Sequence, residues 1–389
     1  MDRPEEVCCV IGTRPEVIKM APVILEFQRR NIICRIVATG QHDTLFEDAM
    51  DTFGLKADAN LGLMREGQTP VEFLSRALAA LSTILDDNPR VGVILAQGDT
   101  TTVLAAAMVA FHKHIPFGHV EAGLRTYDLD APFPEEYNRR LVAIGAKWHF
   151  APTAEAVDHL TDELAMPMRF DGGAAKCKSI IQTGNTVVDA LKLIINKFGA
   201  GPTPHTGTCF GASYVLITCH RRENLGEPMD RIFTAISLLA HQFENTTFWY
   251  PLHPNPVIGI AARKILGDIP NVILSSALPY VDCVKAINGA KLVITDSGGI
   301  QEEAISLGVP ALVTRETTER PEGVQSGGCV LVGTDVAKIT SMAATLLTNP
   351  SIYDAHVVPA EQNPYGDGKA AARIVDVIQE HMEAKDAKL

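Results

Sequence analysis

The chain has 389 residues, 46% of them hydrophobic and 21% charged, which supplies a sizeable core and excludes a disordered protein. At roughly 150 residues per domain the length predicts two or three domains. Lys and Arg number 34 against 46 Asp and Glu, a net charge of −12, so no nucleic acid or anionic membrane is expected as a partner; either would need a basic face.

The pattern alternates from the start. Residues 7–11 (Val-Cys-Cys-Val-Ile) read as a buried strand and 15–30 as a helix with Pro in its first turn. Between them lies Gly12-Thr13-Arg14-Pro15-Glu16, with Lys19 one helical turn on. A Gly turn, a helix start, an Arg and a Lys favour a phosphate, although Arg14 paired with a local carboxylate and Lys19 in solvent is equally open. Neither GxGxxG nor a P-loop signature is present, which counts against a nicotinamide cofactor.

Strand-like runs follow at 33–38, 91–96, 117–120 and 148–151, separated by helical patterns at 70–85, 102–114 and 135–146. Near-continuous apolar strands alternating with helices predict a parallel sheet covered on both faces. Gly98-Asp99-Thr100 follows the 91–96 strand, where Asp99 either caps the next helix or carries chemistry. His119-Val120-Glu121-Ala122-Gly123 ends another strand, with Gly123 permitting a bend that aims Glu121 outward. Pro134-Glu135-Glu136 opens the 135–146 helix, where acidic residues also suit the helix dipole. Three carboxylates at strand ends of one sheet meet the needs of proton transfer. An irregular loop at 166–179 has no assigned role.

After a helix at 187–198, the Gly/Pro/Thr-rich stretch 199–208 reads as a linker, and the alternation restarts. Strands are expected at 214–218, 248–252, 272–274, 292–295, 311–314 and 330–332, and a last helix at 369–382. The chain therefore reads as two doubly wound α/β domains, and two such domains facing one another imply a ligand cleft. In the second, Cys219-His220-Arg221 follows a strand. His220 is either a satisfied structural histidine or a diphosphate contact. Asp296-Ser297-Gly298-Gly299 runs straight into a helix whose free N–H groups suit an anion, a simple Gly-rich turn being the alternative. Glu303 just inside it suits ribose hydroxyls, and Arg320 supplies a further cation. No histidine has metal-ligand spacing.

No uncharged apolar stretch approaches the roughly 18 residues that cross a bilayer. The acidic opening Met1 to Glu6 lacks the basic region of a signal peptide. Eight cysteines are scattered with no CxxC pair, four of them in apolar strands, which reads as reduced thiols in a cytoplasmic protein.

Taken in order, GTRPE-IK, GDTTT, HVEAGLRT, FPEE-NRR, TGNT, HRREN, HPNP, TDSGGIQEEA and TTERPE resemble the non-hydrolysing UDP-N-acetylglucosamine 2-epimerases, over nearly the whole chain. The resemblance implies a GT-B architecture: two Rossmann-like doubly wound domains facing across a cleft that takes a UDP-sugar. The domains would be 1–198 and 209–368, joined by 199–208, with the helix at 369–389 packing back onto the first. It implies epimerisation at C2 between UDP-GlcNAc and UDP-ManNAc, without metal or nicotinamide cofactor, by anti elimination of UDP and re-addition to a 2-acetamidoglucal. Carried over by motif, the catalytic candidates are Asp99, Glu121, Glu135 and His220. The substrate contacts are Arg14, Lys19, Ser297, Gly298, Gly299, Glu303 and Arg320, and a homodimer is expected. Two departures stand out: Cys283, where the family commonly has a large apolar side chain, and Leu278, where better-known members are polar. Gln41-His42 matches the family's regulatory-pocket motif, while Asp43-Thr44 and Gly67 depart from it. A 2-epimerase of UDP-2,3-diacetamido-glucuronate and a GT-B glycosyltransferase are the alternative readings.

Overall fold

The computed structural model describes residues 5–40, 44–65, 67–165, 179–200, 213–221, 224–253 and 255–386. The expected loop at 166–179 (save residue 179), the linker beyond residue 200 and Gln41 to Asp43 lie outside them. The chain forms two units, Met1–Ala190 with Tyr365–Leu389, and Leu191–Pro364. Each is a doubly wound Rossmann-like unit built on a parallel sheet, together the GT-B type.

In the first unit the chain runs β1 (Glu6–Ile11), α1 (Arg14–Arg29), β2 (Cys34–Ala38), α2 (Thr44–Phe53), β3 (Ala59–Asn60), α3 (Pro70–Asp87) and β4 (Val91–Gln97). It continues through α4 (Thr101–His112), β5 (Phe117–Val120), α5 (Glu135–Gly145), β6 (Trp148–Ala151), α6 (Ala154–Glu163), β7 (Ser179–Gln182) and the start of α7 (Thr186–Phe198), whose residues from Leu191 on belong to the second unit. The described strands pair in the order β3-β2-β1-β4-β5-β6-β7, all parallel. Strands β1 and β4 are buried along their whole length, as a sheet covered by helices on both faces demands. Helix α3 starts where Thr69 and Glu72 form a reciprocal capping box ahead of Pro70. The strand order reverses between β1 and β4, so their carboxyl ends open a crevice.

The second unit has β8 (Tyr214–Thr218), α8 (Glu227–Gln242), β9 (Thr247–Pro251), α9 (Pro256–Leu266), β10 (Val272–Ser275), α10 (Tyr280–Gly289), β11 (Leu292–Thr295) and α11 (Gly298–Ser306). Then come β12 (Ala311–Val313), α12 (Pro321–Gln325), β13 (Cys329–Leu331), α13 (Val336–Thr348) and α14 (Pro350–His356). Its order is β10-β9-β8-β11-β12-β13, which puts the reversal between β8 and β11. The sheet buries Phe248 and Tyr250 against Phe233 and Ile236 of α8.

Helix α15 (Ala370–Asp386) belongs to the first unit. Ile374, Val375 and Ile378 are fully buried, and Arg30 Nη1 at the end of α1 meets Asp376 Oδ1 at 2.6 Å. The carboxylate of Asp189 on α7 accepts the Ala370 and Ala371 N–H groups at 3.2 and 3.0 Å, satisfying the start of α15 from outside it. Among the described residues no helix is long and apolar enough to cross a membrane.

Candidate active site

In the first unit the sequence-selected groups gather beyond the carboxyl ends of β1, β4 and β5. Gly12 is dictated by space: a Cβ there would sit 2.3 Å from Thr102 Oγ1 and 2.7 Å from Thr39 Oγ1. Its N–H, offered by the sequence reading to a phosphate, donates instead to Glu16 Oε2 at 2.5 Å. Glu16 is buried, and burial pushes its carboxyl up to about 7 against hydrogen bonds from Thr100, Gly12 and Thr13. The protein's own carboxyl thus fills the anion position at the start of α1. Arg14 stands at the first position of that helix, partly buried.

Glu121 takes a left-handed backbone, φ 62°, which a side-chain-bearing residue adopts only when its surroundings force it. Gly123 is left-handed too, φ 96°, and packs so closely that a Cβ would lie 2.3 Å from the Ala156 carbonyl oxygen. The turn delivers a nearly buried Glu121 carboxylate to three donors: Lys19 Nζ at 2.5 Å, Gln97 Nε2, and Asn185 Nδ2 at 3.3 Å. Lys19, read from sequence as a phosphate contact, therefore neutralises Glu121. Asp99 receives Arg139 Nη2 at 2.5 Å on Oδ2 while Asn138 Nδ2 holds its carbonyl at 2.9 Å, and 28% of its side chain stays exposed. Asp99 does not cap α4; the extended Thr100 stands at that position. His119 fixes the same turn through its ring nitrogen, 2.7 Å from the Gly98 carbonyl oxygen. Burial pushes His119 down to about 4, so it is neutral and donates.

Of the two glutamates opening α5 the structure separates the roles. Glu136 is fully buried, bonds the Thr126 and Tyr127 N–H groups and pairs with Arg139 at 3.2 Å. Glu135 is only partly buried and makes no such bonds among the described residues.

In the second unit the sites follow β8 and β11. Asp296 is wholly buried and bonds the His220 and Arg221 N–H groups; the His220 ring stacks on that of His253, centroids 5.1 Å apart. Ser297 stands at the N-cap of α11 without spending its side chain there, and its N–H donates to Thr295 Oγ1 at 3.0 Å. Gly298 and Gly299 form the first turn, and Glu303 is nearly buried one turn on. Arg320, at the N-cap of α12, pairs through Nε with the buried Glu302 of α11. Glu319 lies against the same turn: a Cβ at Gly298 would stand 2.7 Å from its carboxylate. Burial alone would raise Glu319; Arg320 and Arg315 outweigh it and hold the carboxyl down at about 2. Cys283 sits in the first turn of α10, partly buried. Among the described residues no three His, Cys, Asp or Glu side chains gather as a metal site.

Sequence reasoning left out Glu16, Gln97, Arg139, Asn185, Asp296 and Glu319 as parts of the site. Their signal was position: Glu16, Gln97, Asp296 and Glu319 each stand at a strand end or helix start beside a selected residue, Asn185 precedes α7, and Arg139 lies one turn inside α5. Two doubly wound Rossmann-like units in one chain, each with charged and polar side chains where its strand order reverses, are the build of a GT-B type enzyme.

Comparison with known proteins gives the particular family. A sequence model of UDP-N-acetylglucosamine 2-epimerase matches residues 26–379. The UDP-N-acetylglucosamine 2-epimerase of Bacillus subtilis is 42% identical over 97% of this chain and 95% of its own. The crystal structure of UDP-GlcNAc 2-epimerase from Neisseria meningitidis bound to UDP-GlcNAc superposes with a TM-score of 0.87 at 38% identity, covering 96% of this chain and all of that one. The Methanocaldococcus jannaschii UDP-GlcNAc 2-epimerase, in complex with UDP-GlcNAc and UDP, gives 0.77 at 29% identity over 96% and 99%. The chain belongs to the UDP-N-acetylglucosamine 2-epimerase family.

Proposed function

We propose that the protein interconverts UDP-N-acetylglucosamine and UDP-N-acetylmannosamine by elimination and re-addition of UDP. The observation that carries the chemistry is the pair Asp99 and Glu121, at the ends of adjacent strands, each held in place by cationic and amide donors. The C2 proton of the sugar is barely acidic, because no carbonyl adjoins it. When the C1–O bond breaks, its electron pair leaves with UDP and the positive charge on C1 acidifies C2–H. A carboxylate then takes the proton, and the C–H pair becomes the C1=C2 bond of the glucal. Re-addition runs the steps in reverse, with the proton delivered to the other face, so two acid–base groups are required. Asp99, Glu121 and Glu135 fill these roles. His220 and the start of α11 at Ser297 to Gly299 stabilise the departing diphosphate, with Arg14 and Arg320 as further cations. Glu303 takes the ribose, and Lys19 holds Glu121 through their ion pair. No dinucleotide or metal enters this scheme. A cytoplasmic location and a homodimer complete the reading; the free thiols at Cys8, Cys9 and Cys219, all buried, suit a reducing compartment.

In D₂O, product and re-equilibrated substrate both carry deuterium at C2 by proton NMR. Asp99→Asn and Glu121→Gln lose turnover by a factor on the order of 10² or more. Epimerised product without deuterium defeats the elimination route.

A further inference from the structure

Asp296 occupies the turn between β11 and α11, where an acidic residue normally caps its own helix. It does not: its carboxylate crosses to the turn that follows β8. Oδ1 accepts the His220 N–H at 3.0 Å, and Oδ2 accepts the N–H groups of His220 and Arg221 and the side-chain amide of Asn224 at 2.9, 2.8 and 3.0 Å. Oδ1 also lies 3.8 Å from His220 Nδ1. The carboxylate is 0% exposed, while the imidazole beyond it keeps 35% of its side-chain surface. One ring nitrogen thus faces a buried negative charge, and the other end of the ring remains partly open.

We propose that Asp296 is the positioning residue for His220, fixing the β8–α8 turn and holding the proton on Nδ1 so that Nε2 serves the departing diphosphate. This rests on the reading above that His220 assists that departure. The groups facing the imidazole divide cleanly. Burial favours the neutral ring, His253 across the stack and Arg221 in the same turn act in the same direction, and Asp296 opposes all three. When UDP leaves, the protonated ring gives its Nε2 proton toward the phosphate oxygen and remains as the Nδ1–H tautomer facing Asp296. Proton and charge balance, and no proton passes to Asp296 in this step.

The test is kcat and KM against pH for wild type, Asp296→Asn, His220→Asn and the double variant. Asp296→Asn lowers kcat on the order of 10²-fold while KM changes little, and the limb on which the acid form is active moves about one unit or more toward lower pH. In the His220→Asn background the same substitution costs less than about 3-fold, because its route to the substrate is gone. An unmoved pH limb, or an equal loss in both backgrounds, makes Asp296 merely structural and overturns the inference. Full activity of His220→Asn removes the role of the histidine itself, and with it both readings. Should Asp296→Asn fail to fold, ring-¹⁵N histidine spectra of the wild type decide the matter. The neutral His220 signal, identified by its absence in His220→Asn, is the Nδ1–H tautomer; the Nε2–H tautomer overturns the proposal.

Discussion

Glu16 is a carboxyl group buried in the turn it helps to build, and its raised pKa ties the stability of the first unit to pH. A group whose folded pKa lies above its ordinary 4.5 contributes stability that is fully present below that value and lost as pH climbs through about 7. The loss is about 3 kcal/mol at one pKa unit per 1.4 kcal/mol. Glu16→Gln keeps an acceptor for Gly12 and cannot ionise. Its unfolding midpoint therefore exceeds wild type at pH 8, and the difference fades toward pH 5; an equal difference at both pH values sinks the account. The sequence did not announce this role, because the motif reads equally well as a phosphate turn. Asp99, Glu121 and His220 were legible as residues that follow apolar strands. Their partners Gln97, Asn185 and Asp296 were not, since a hydrogen bond over 24, 64 or 76 positions leaves no local pattern.

Helices α11 and α12 show the same limit one level up. Arg320 was expected to serve a diphosphate, and the structure gives it a standing partner in the buried Glu302. Arg320→Ala accordingly does two things. It weakens UDP binding by roughly 1.5–3 kcal/mol, the worth of a charge-assisted hydrogen bond. It also destabilises the second unit, because Glu302 loses its cation. Adding Glu302→Gln restores much of the stability without restoring affinity, so calorimetry with UDP and thermal melts on the two variants separate the effects. Unaltered UDP affinity in Arg320→Ala rejects the binding role. The strands themselves were easier: 117–120, 148–151, 214–218 and 292–295 fall where periodicity places them. Elements with weak apolar content escaped, notably the two-residue β3, the α6 helix, and β7, none of whose residues is fully buried.

At the scale of the molecule, each unit gathers its groups where its strand order reverses, so their placement follows from topology as much as from composition. The first unit is also completed by a helix that follows the second unit in sequence. Ile378→Ala in α15 removes a fully buried side chain and should cost that unit about 2–5 kcal/mol. Hydrogen exchange would report it as lost protection in β1 and α1 with β8 to β13 unchanged; uniform loss across both sheets would reject that division. The order in which these pieces leave the ribosome then matters. The second unit, Leu191–Pro364, is synthesised in one uninterrupted run and has all its strands before α15 exists. The first unit begins earlier yet waits for that helix, its α1 surface and the Asp189 carboxylate without their partners for the whole of that interval. The unit begun first is thus finished last, and until then a nascent-chain chaperone has an apolar face to hold.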